Sequence, residues 1–542
     1  MHQSYDNFIK LAMQEVAKAP TDFLRIKKNV SKIVQLPIPT NADMRELYEK
    51  MIVQKKIKRD LNFEKMLFSK RVRTASGVAV VAVLTKSYPC PGKCIYCPTE
   101  KEMPKSYLSN EPAVMRAISA KFNPYLQVQR RIHALELNGH KTDKIELIVM
   151  GGTFSYLPKA YQLKFILECF RACNEYGKKV KNKKGKTTLE KLLLEQKKNE
   201  TTKCRIIGLT LETRPDYINK KELINFRNLG CTRVELGVQN IFDDVLKINK
   251  RGHDIQKTIE ATKLLKDFGF KINYHIMPGL LGSSFKKDFQ MFEKLFSDQA
   301  FQPDMLKIYP TVVIRQSPLY RLWKAGKYKA LTDKNFEKFI LRVKNEIIPP
   351  YVRISRLIRD VPESSILAGP KISNLRQLIA KKSTCPCIRC REVRSDYNLT
   401  EKIILNRIDY PASDGQEIFL EYVSANKKKL FALLRLRIPS YCHSRPRFAR
   451  INSGGNPVMP ALKNSAIIRE VHTYGKMNQI NQKDTLSPQH IGLGKKLIME
   501  AEKIAKEEFG LKKIAVISGV GVRGYYRKLG YKLKASYMVK NL

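Results

Sequence analysis

CPGKCIYCP, residues 90–98, places Cys90, Cys94 and Cys97 within eight positions and closes the run with a proline. A tetrahedral zinc site takes four ligands, usually from paired knuckles, and nothing near this stretch completes such a set. A [4Fe-4S] cluster is also normally held by four thiolates. Three therefore leave one iron open to another ligand, and that open position is the informative feature.

S-adenosylmethionine (SAM) can fill it through its amino and carboxylate groups, bringing its sulfonium close enough to accept an electron and release a 5′-deoxyadenosyl radical. With the aromatic Tyr96 before the last cysteine, expected on the adenine side, the spacing resembles the radical SAM signature. Such a domain is expected to be a partial or full (β/α) barrel, and strands do alternate with helices downstream. KIELIVMGGTF (144–154), RIIGLTLETRPD (205–216), TRVELGVQN (232–240), KINYHIMPGLLG (271–282) and DMLKIYPTVV (304–313) read as strands. The first ends in Gly151 and Gly152, where missing side chains let backbone approach the methionyl amino group. Glu212, Arg214, Glu235, Gln239, His275, Lys307 and Tyr309 gather at strand ends, which carry the chemistry in parallel barrels. Tyr96, Gly151, Gly152, Glu212 and Gln239 are the expected cofactor contacts.

The 542-residue chain has room for two to four domains. It contains no apolar run of roughly 20 residues and opens on no secretory or lipidation signal, so a cytoplasmic home with no membrane contact is expected. Its 101 Lys and Arg against 50 Asp and Glu give a formal charge of +51. Such a field suits a polyanion, with nucleic acid ahead of an acidic membrane surface. Residues 1–75 are themselves basic (KKNVSKIV, QKKIKRD, SKRVR) with apolar positions at helical spacing. They are expected to form a phosphate-facing helical region. A lysine-rich stretch near 176–204 reads as an insertion between barrel elements, either solvated surface or a phosphate grip.

Eleven cysteines, six of them in two clusters, argue against a disulfide framework. Cys169, Cys173, Cys204, Cys231 and Cys442 read as core thiols. The second cluster, Cys385, Cys387 and Cys390 in CPCIRC, is a zinc candidate with a second iron-sulfur cluster as its rival. Its fourth ligand is left open among His133, His140 and His443. It reads as a structural clip in a linker spanning 356–415.

Residues 416–542 change character. FALLRLRIP and AIIREVHTYG read as strands, and SPQHIGLGKKLIMEAEKIAKEEFG as a glycine turn opening an amphipathic helix with Leu497, Ile498, Ala501, Ile504, Ala505 and Phe509 on one face. Gln489, Gly492, Leu493 and Gly494 at its start free backbone amides for a pyrophosphate. The strand KKIAVISG follows, then VRGYYRKLGYK, similar to the segment that ends the acyl-CoA site of GNAT acetyltransferases. Tyr525 or Tyr526 there could act as general acid to a departing thiolate.

CPGKCIYCP, EPAVMRAISAKFNPYLQ, VMGGTFSYLP, LTLETRPD, ELGVQ, MPGLLGSS, LKIYPT, RISRLIRDVP, CIRCREV, REVHTYG and VISGVGVRGYYRKLGY together resemble the Elongator catalytic subunit family, from about residue 20 to the end. The resemblance implies an α/β architecture: a radical SAM partial barrel (76–355), the zinc-clipped linker, a C-terminal GNAT acetyltransferase domain and a basic N-terminal region that binds tRNA. It implies carboxymethylation at carbon 5 of the tRNA wobble uridine, with a [4Fe-4S] cluster, SAM and acetyl-CoA. Lys307 and Tyr309 are expected near acetyl-CoA or the uracil. A stand-alone monomer or homodimer is implied, without accessory subunits. The stretch QINQKDTLSPQHIGLG departs from the acid- and glycine-rich sequence that often precedes the helix in this family. The rival expectation is a protein lysine acetyltransferase with a structural iron-sulfur domain, for which Glu470, on the helix preceding the CoA turn, is the only nearby acid.

Overall fold

Runs of β-branched and aliphatic residues bounded by charged or glycine positions build the centre of the molecule, as buried parallel strands require. The structure, a computed structural model, describes residues 2–18, 22–68, 74, 77–178, 187–394, 401–440, 459–475 and 492–542. Strands β1 (Ala79–Leu84), β2 (Lys144–Met150), β3 (Arg205–Thr213), β4 (Arg233–Gln239), β5 (Lys271–Ile276) and β6 (Met305–Ile308), closed by Arg353–Arg356, form one seven-stranded sheet in sequence order. Every neighbouring pair is parallel. This is the radical SAM half-barrel expected from the sequence. Five strands are those read there; Ala79–Leu84 and Arg353–Arg356 flank them. Crossover helices cover the outer face, and three of them are started by a side chain that accepts from the third backbone amide: Asn219 before Lys220–Asn228, Asp254 before Ile255–Asp267 and Ser284 before Phe285–Ser297.

The lysine-rich stretch is less of an insertion than its composition suggests. Its second half is the helix Leu189–Asn199, which buries Leu192, Gln196 and Asn199. Asn199 donates to Asn174 Oδ1 at 2.8 Å and accepts from the Ile206 amide at 2.8 Å, tying the helix to the start of β3. Lys191, Lys197 and Lys198 face outward. Residues 179–186 lie outside the described residues.

Helices His2–Lys18, Phe23–Val34, Asn41–Val53 and Leu61–Leu67 close over their own apolar cluster, including Phe8, Val30, Tyr48 and Phe63. They leave Lys10, Lys28, Lys32, Lys55, Lys58 and Lys65 exposed.

A second seven-stranded sheet runs in the order Ile403–Ala412, Gly415–Ser424, Leu430–Ile438, Ala466–Thr473, Lys513–Val516, Tyr537–Asn541, Lys532–Lys534. Among the described residues only Ala466–Thr473 and Lys513–Val516 run parallel in this sheet, and their register ends at Ile468 and Val516. The helix Leu493–Glu507 links them and buries Leu497, Ile498, Ala501, Ile504 and Ala505.

This sheet docks on the N-terminal ends of the barrel strands, opposite the mouth, through buried charges. Arg469 pairs with Asp304 at 2.9 Å and Glu417 at 2.8 Å, and Arg437 with Asp267 at 2.6 Å. Glu470 lies on the strand Ala466–Thr473, not on a helix, and is held by Arg435 at 2.9 Å and Lys271 at 3.1 Å. Burial opposes its charge, but Lys271 and Arg435 outweigh that and hold the carboxyl well below the usual range. A carboxylate so neutralised is a poor general base. At Gly519 the backbones nearly touch: a Cβ there would stand 2.0 Å from the Ile207 carbonyl oxygen.

Candidate active site

The cysteine loop leaves β1 at the C-terminal mouth of the barrel and is fixed by its backbone. Ile95 donates to the Asn249 carbonyl at 3.2 Å, and its own carbonyl accepts from Leu319 at 2.8 Å. Cys94 is buried, while Cys90 and Cys97 are partly exposed. The Gly92 amide lies 3.4 Å from Cys90 Sγ, and Arg251 Nη1 lies 3.6 Å from Cys94 Sγ. Burial raises the Cys94 thiol, but the Arg251 charge beside it prevails and its pKa is lowered. At Cys97 burial outweighs the more distant charges of Lys105 and Arg359 and pushes the thiol up to about 11.

The expected cofactor contacts surround this loop. Tyr96 is buried between the cysteines, and its phenol is raised well above its ordinary value by burial. Gly151 has φ +136°, and a Cβ there would meet Thr85 Oγ1 at 2.0 Å. Gly152, at φ +90°, follows in the same turn. Gln239, with φ 70°, takes a backbone conformation unusual for a residue with a side chain, and its buried Oε1 has no partner. Arg214 is clamped by Asp216 at 2.8 and 2.9 Å, yet its buried Nη1 is also unpaired; a Cβ at Gly92 would reach it at 2.2 Å. Three thiols, one beside a guanidinium, and unpaired donors and acceptors around them fit a [4Fe-4S] cluster carrying a polar, charged ligand such as SAM. Gly151→Ala is expected to retain the cluster's iron but weaken SAM binding at least tenfold, because the turn must move off Thr85; equilibrium dialysis with labelled SAM measures it.

Deeper in the mouth, Glu235 is fully buried. It accepts from His275 Nε2 at 2.9 Å, from Asn273 at 3.3 Å and from the Lys307 ammonium. Burial opposes the Lys307 charge, but Glu235 more than compensates and raises its pKa. Lys307 is therefore a fixed cation and hydrogen-bond donor rather than a base. Tyr309 packs edge-on to His275 with ring centroids 5.6 Å apart. Glu212 accepts from Tyr107 at 2.9 Å, and Arg359 lies over the Tyr107 ring at 5.2 Å. Glu212, Glu235 and His275 come within 4.8 Å of one another. A metal ion would compete there with the cation Lys307 already supplies.

Cys385, Cys387 and Cys390 bring their sulfurs within 4.8 Å of one another, with no fourth His, Cys, Asp or Glu in that group among the described residues. Lys344 Nζ stands 3.3 Å from Cys390 Sγ. His140 does not supply the fourth ligand: it packs on Phe68 and lies 3.0 Å from Thr74 Oγ1. His133 is exposed on the helix Pro124–Leu137, and His443 lies outside the described residues. The cluster joins barrel to second sheet: Ile388 donates to Val352 at 2.9 Å, Val393 to Leu430 at 3.0 Å, and Arg391 grips Glu421 at 2.8 Å.

In the second sheet, Gly492 starts the helix Leu493–Glu507 with φ 78°. A Cβ on Gly494 would touch Thr473 Cγ2 and the Tyr525 hydroxyl, both at 3.5 Å. The helix's first amides and Tyr525 thus meet where the parallel pair parts. Tyr526 turns into the core against Tyr531, with ring centroids 5.8 Å apart. Gln489 and most of the departing stretch before the helix lie outside the described residues.

Residues 86–292 match the radical SAM superfamily and 303–384 a radical SAM C-terminal domain. The tRNA uridine(34) acetyltransferase of Methanocaldococcus infernus is 46% identical over 495 residues, 88% of either chain. That of Dehalococcoides mccartyi is 44% identical over 87% of this chain and 99% of its own. Human Elongator complex protein 3 is 40% identical over 88% of this chain and 86% of its own. The chain belongs to the Elongator complex protein 3 family. A solved structure of M. infernus Elp3, lacking its N-terminus, superposes with a TM-score of 0.70 and 42% identity, covering 86% of this chain and all of that one. Membership makes this a radical SAM enzyme, with the [4Fe-4S] cluster and SAM that the superfamily implies, and Cys90, Cys94 and Cys97 fall inside the matched segment. No helix among the described residues is long and apolar enough to cross a membrane.

Sequence reasoning missed Arg251, Tyr107 and Arg359. Arg251 and Tyr107 are lone residues on loops, with no spacing to mark them, and Arg359, although inside RISRLIRDVP, is one of three arginines there with nothing local to single it out.

Proposed function

We propose that the protein modifies carbon 5 of the wobble uridine, position 34, of tRNA, using a SAM-derived radical and acetyl-CoA to leave a carboxymethyl group. The observation that carries this reading is the pairing, in one chain, of a thiol triad at a barrel mouth with a glycine-started helix where two parallel strands part. When bound, the cluster and SAM supply the 5′-deoxyadenosyl radical, which can take hydrogen from a methyl group that no side-chain base could deprotonate.

The chain's own groups then have defined tasks. Cys90, Cys94 and Cys97 hold the cluster; Gly151, Gly152, Gln239 and Glu212 form the cradle for SAM. Lys307, kept charged by Glu235, donates hydrogen bonds to a carbonyl of the uracil or the acetyl group, with Tyr309 beside it. In the C-terminal half, read as a GNAT acetyltransferase domain, the amides of Leu493 and Gly494 bind the pyrophosphate of acetyl-CoA. Tyr525 rather than Tyr526 is the acid to the departing thiolate, because its hydroxyl lies at the helix start. Cys385, Cys387 and Cys390 hold a structural zinc that clips the linker to both sheets; a chelator is expected to lower the melting temperature without removing the triad's iron.

The exposed lysines of the four N-terminal helices face the tRNA phosphates. Replacing Lys28, Lys32, Lys55 and Lys58 by alanine is expected to flatten the plot of log affinity against log salt by about one for each contacting lysine. An unchanged slope in filter binding places the tRNA elsewhere.

Lysine acetylation of a protein is not favoured, since Glu470, the acid on which that reading rests, is neutralised by Arg435 and Lys271. The deciding experiment incubates reduced, anaerobically reconstituted protein with SAM, labelled acetyl-CoA and tRNA. Label in the nucleoside with release of 5′-deoxyadenosine supports the proposal; label on protein lysines alone overturns it.

A further inference from the structure

Among the described residues, Cys94 is the one triad thiol that receives a hydrogen bond from a guanidinium, and the architecture holds that guanidinium in place. Arg251 Nη1 lies 3.6 Å from Cys94 Sγ, while Nη2 donates to the Gly237 carbonyl in β4. The turn that carries it is fixed on three sides. The Arg251 amide donates to Leu246 O at 2.9 Å, and Asn249 Nδ2 donates to Val245 O and Leu281 O, each at 2.8 Å. Asn249 O accepts from Ile95 at 3.2 Å, inside the cysteine loop itself. The same turn thus positions both the arginine and the thiol.

Arg251 is 5% exposed, and among the described residues it has no ion pair with a carboxylate. Asp216 acts on it at longer range but is hydrogen-bonded to Arg214 at 2.8 and 2.9 Å; a buried cation with no ion-pair partner of its own is costly, so such an arginine persists where further negative charge faces it. Thiolates bound to an iron-sulfur cluster provide that charge. Hydrogen bonds to the sulfurs and nearby charge are also what set the potential of such clusters.

We propose that Arg251 is a positioning residue whose charge-assisted hydrogen bond to the Cys94 thiolate raises the reduction potential of the cluster held by the triad. The step it eases is the uptake of one electron, without a proton, from a low-potential one-electron donor such as dithionite. The added electron makes the cluster and its thiolates more negative by one charge, and a fixed neighbouring cation stabilises that form most. The asymmetry follows the geometry: Cys90 meets neutral groups, the Gly92 amide at 3.4 Å and the Thr153 hydroxyl at 3.9 Å, and Cys97 Sγ lies 3.8 Å from its neighbour's carbonyl at Pro98. The inference rests on the reading that the triad binds a [4Fe-4S] cluster.

The test uses full-length, anaerobically reconstituted wild type, Arg251→Gln, Arg251→Lys and Gly237→Ala. Iron and sulfide are assayed first, and each protein is then titrated against redox mediators and followed by electron paramagnetic resonance. At the potential where half the wild type is reduced, the reduced-to-oxidised ratio of Arg251→Gln is expected to fall at least tenfold, about 59 mV for a one-electron couple. Arg251→Lys should recover part of the loss. Gly237→Ala, whose Cβ would stand 3.0 Å from Arg251 Nη2, should move the midpoint the same way while keeping every thiol and charge. A wild-type midpoint in Arg251→Gln with full iron content overturns the proposal. If Arg251→Gln loses its iron, unchanged midpoints in both other variants overturn it equally. Wild type that assembles no cluster refutes the underlying reading instead, which the iron assay distinguishes.

Discussion

Cys94→Ala is expected to abolish 5′-deoxyadenosine release and uridine labelling together, while the protein stays folded and still binds tRNA. The loss should exceed the roughly 10–100-fold that changing an outer partner of a metal site costs, because this residue is a ligand. Cys94 is the most buried of the three thiols, at 7% exposure, and the one whose charge is favoured by Arg251. Two remaining sulfurs cannot hold a cluster that presents a single open iron. The side chain sits on a loop anchored through backbone groups of Ile95 and Leu319, so its removal leaves the barrel intact. Chromatographic assay of the nucleoside and of 5′-deoxyadenosine, beside circular dichroism, checks both halves. Uridine labelling that survives in the variant would detach the chemistry from the triad.

The largest effect on stability is expected at the seam between the sheets. Asp304 is fully buried and takes both Arg469 and the Ile272 amide, the latter at 2.8 Å. Asp304→Asn leaves Arg469 in the interior with only Glu417 as counter-charge, and breaking a buried pair in this way costs about 3–5 kcal/mol. Denaturant unfolding measures it, and a change below about 1 kcal/mol, the scale of a surface ion pair, would contradict the burial argument. The pH dependence has a definite sign. Burial raises the Asp304 carboxyl, but Arg469 and Lys266 outweigh it and hold it below its unfolded value. Its contribution is therefore complete above the unfolded carboxylate range near pH 4 and is lost as the pH falls toward the folded value. Acid should loosen the seam in the wild type and change Asp304→Asn far less.

This seam also marks where sequence reading stopped. In FALLRLRIP, Arg435 and Arg437 alternate with leucines, a pattern that ordinarily assigns the arginines to solvent. Yet every residue of Leu430–Ile438 is buried, because the helix Leu493–Glu507 covers one face and the barrel the other. The paired acids come from chain 170 and 131 positions away, at Asp267 and Asp304, which no local pattern can link. The barrel strands were legible for the opposite reason. β2 through β6 are apolar runs closed by glycine or charged positions, and burial on both faces demands that composition. The thiol triad was legible because its spacing is local. Arg251 was not, since one arginine among 101 basic residues carries no signal until the turn at Asn249 is seen against Ile95.

The most direct measurement is Mössbauer spectroscopy of the iron-57-reconstituted protein before and after SAM. Cys90, Cys94 and Cys97 should support a four-iron cluster in which SAM shifts the signal of one iron and leaves the others unchanged. Four irons that ignore SAM, or zinc bound in their place, would contradict the account at its root.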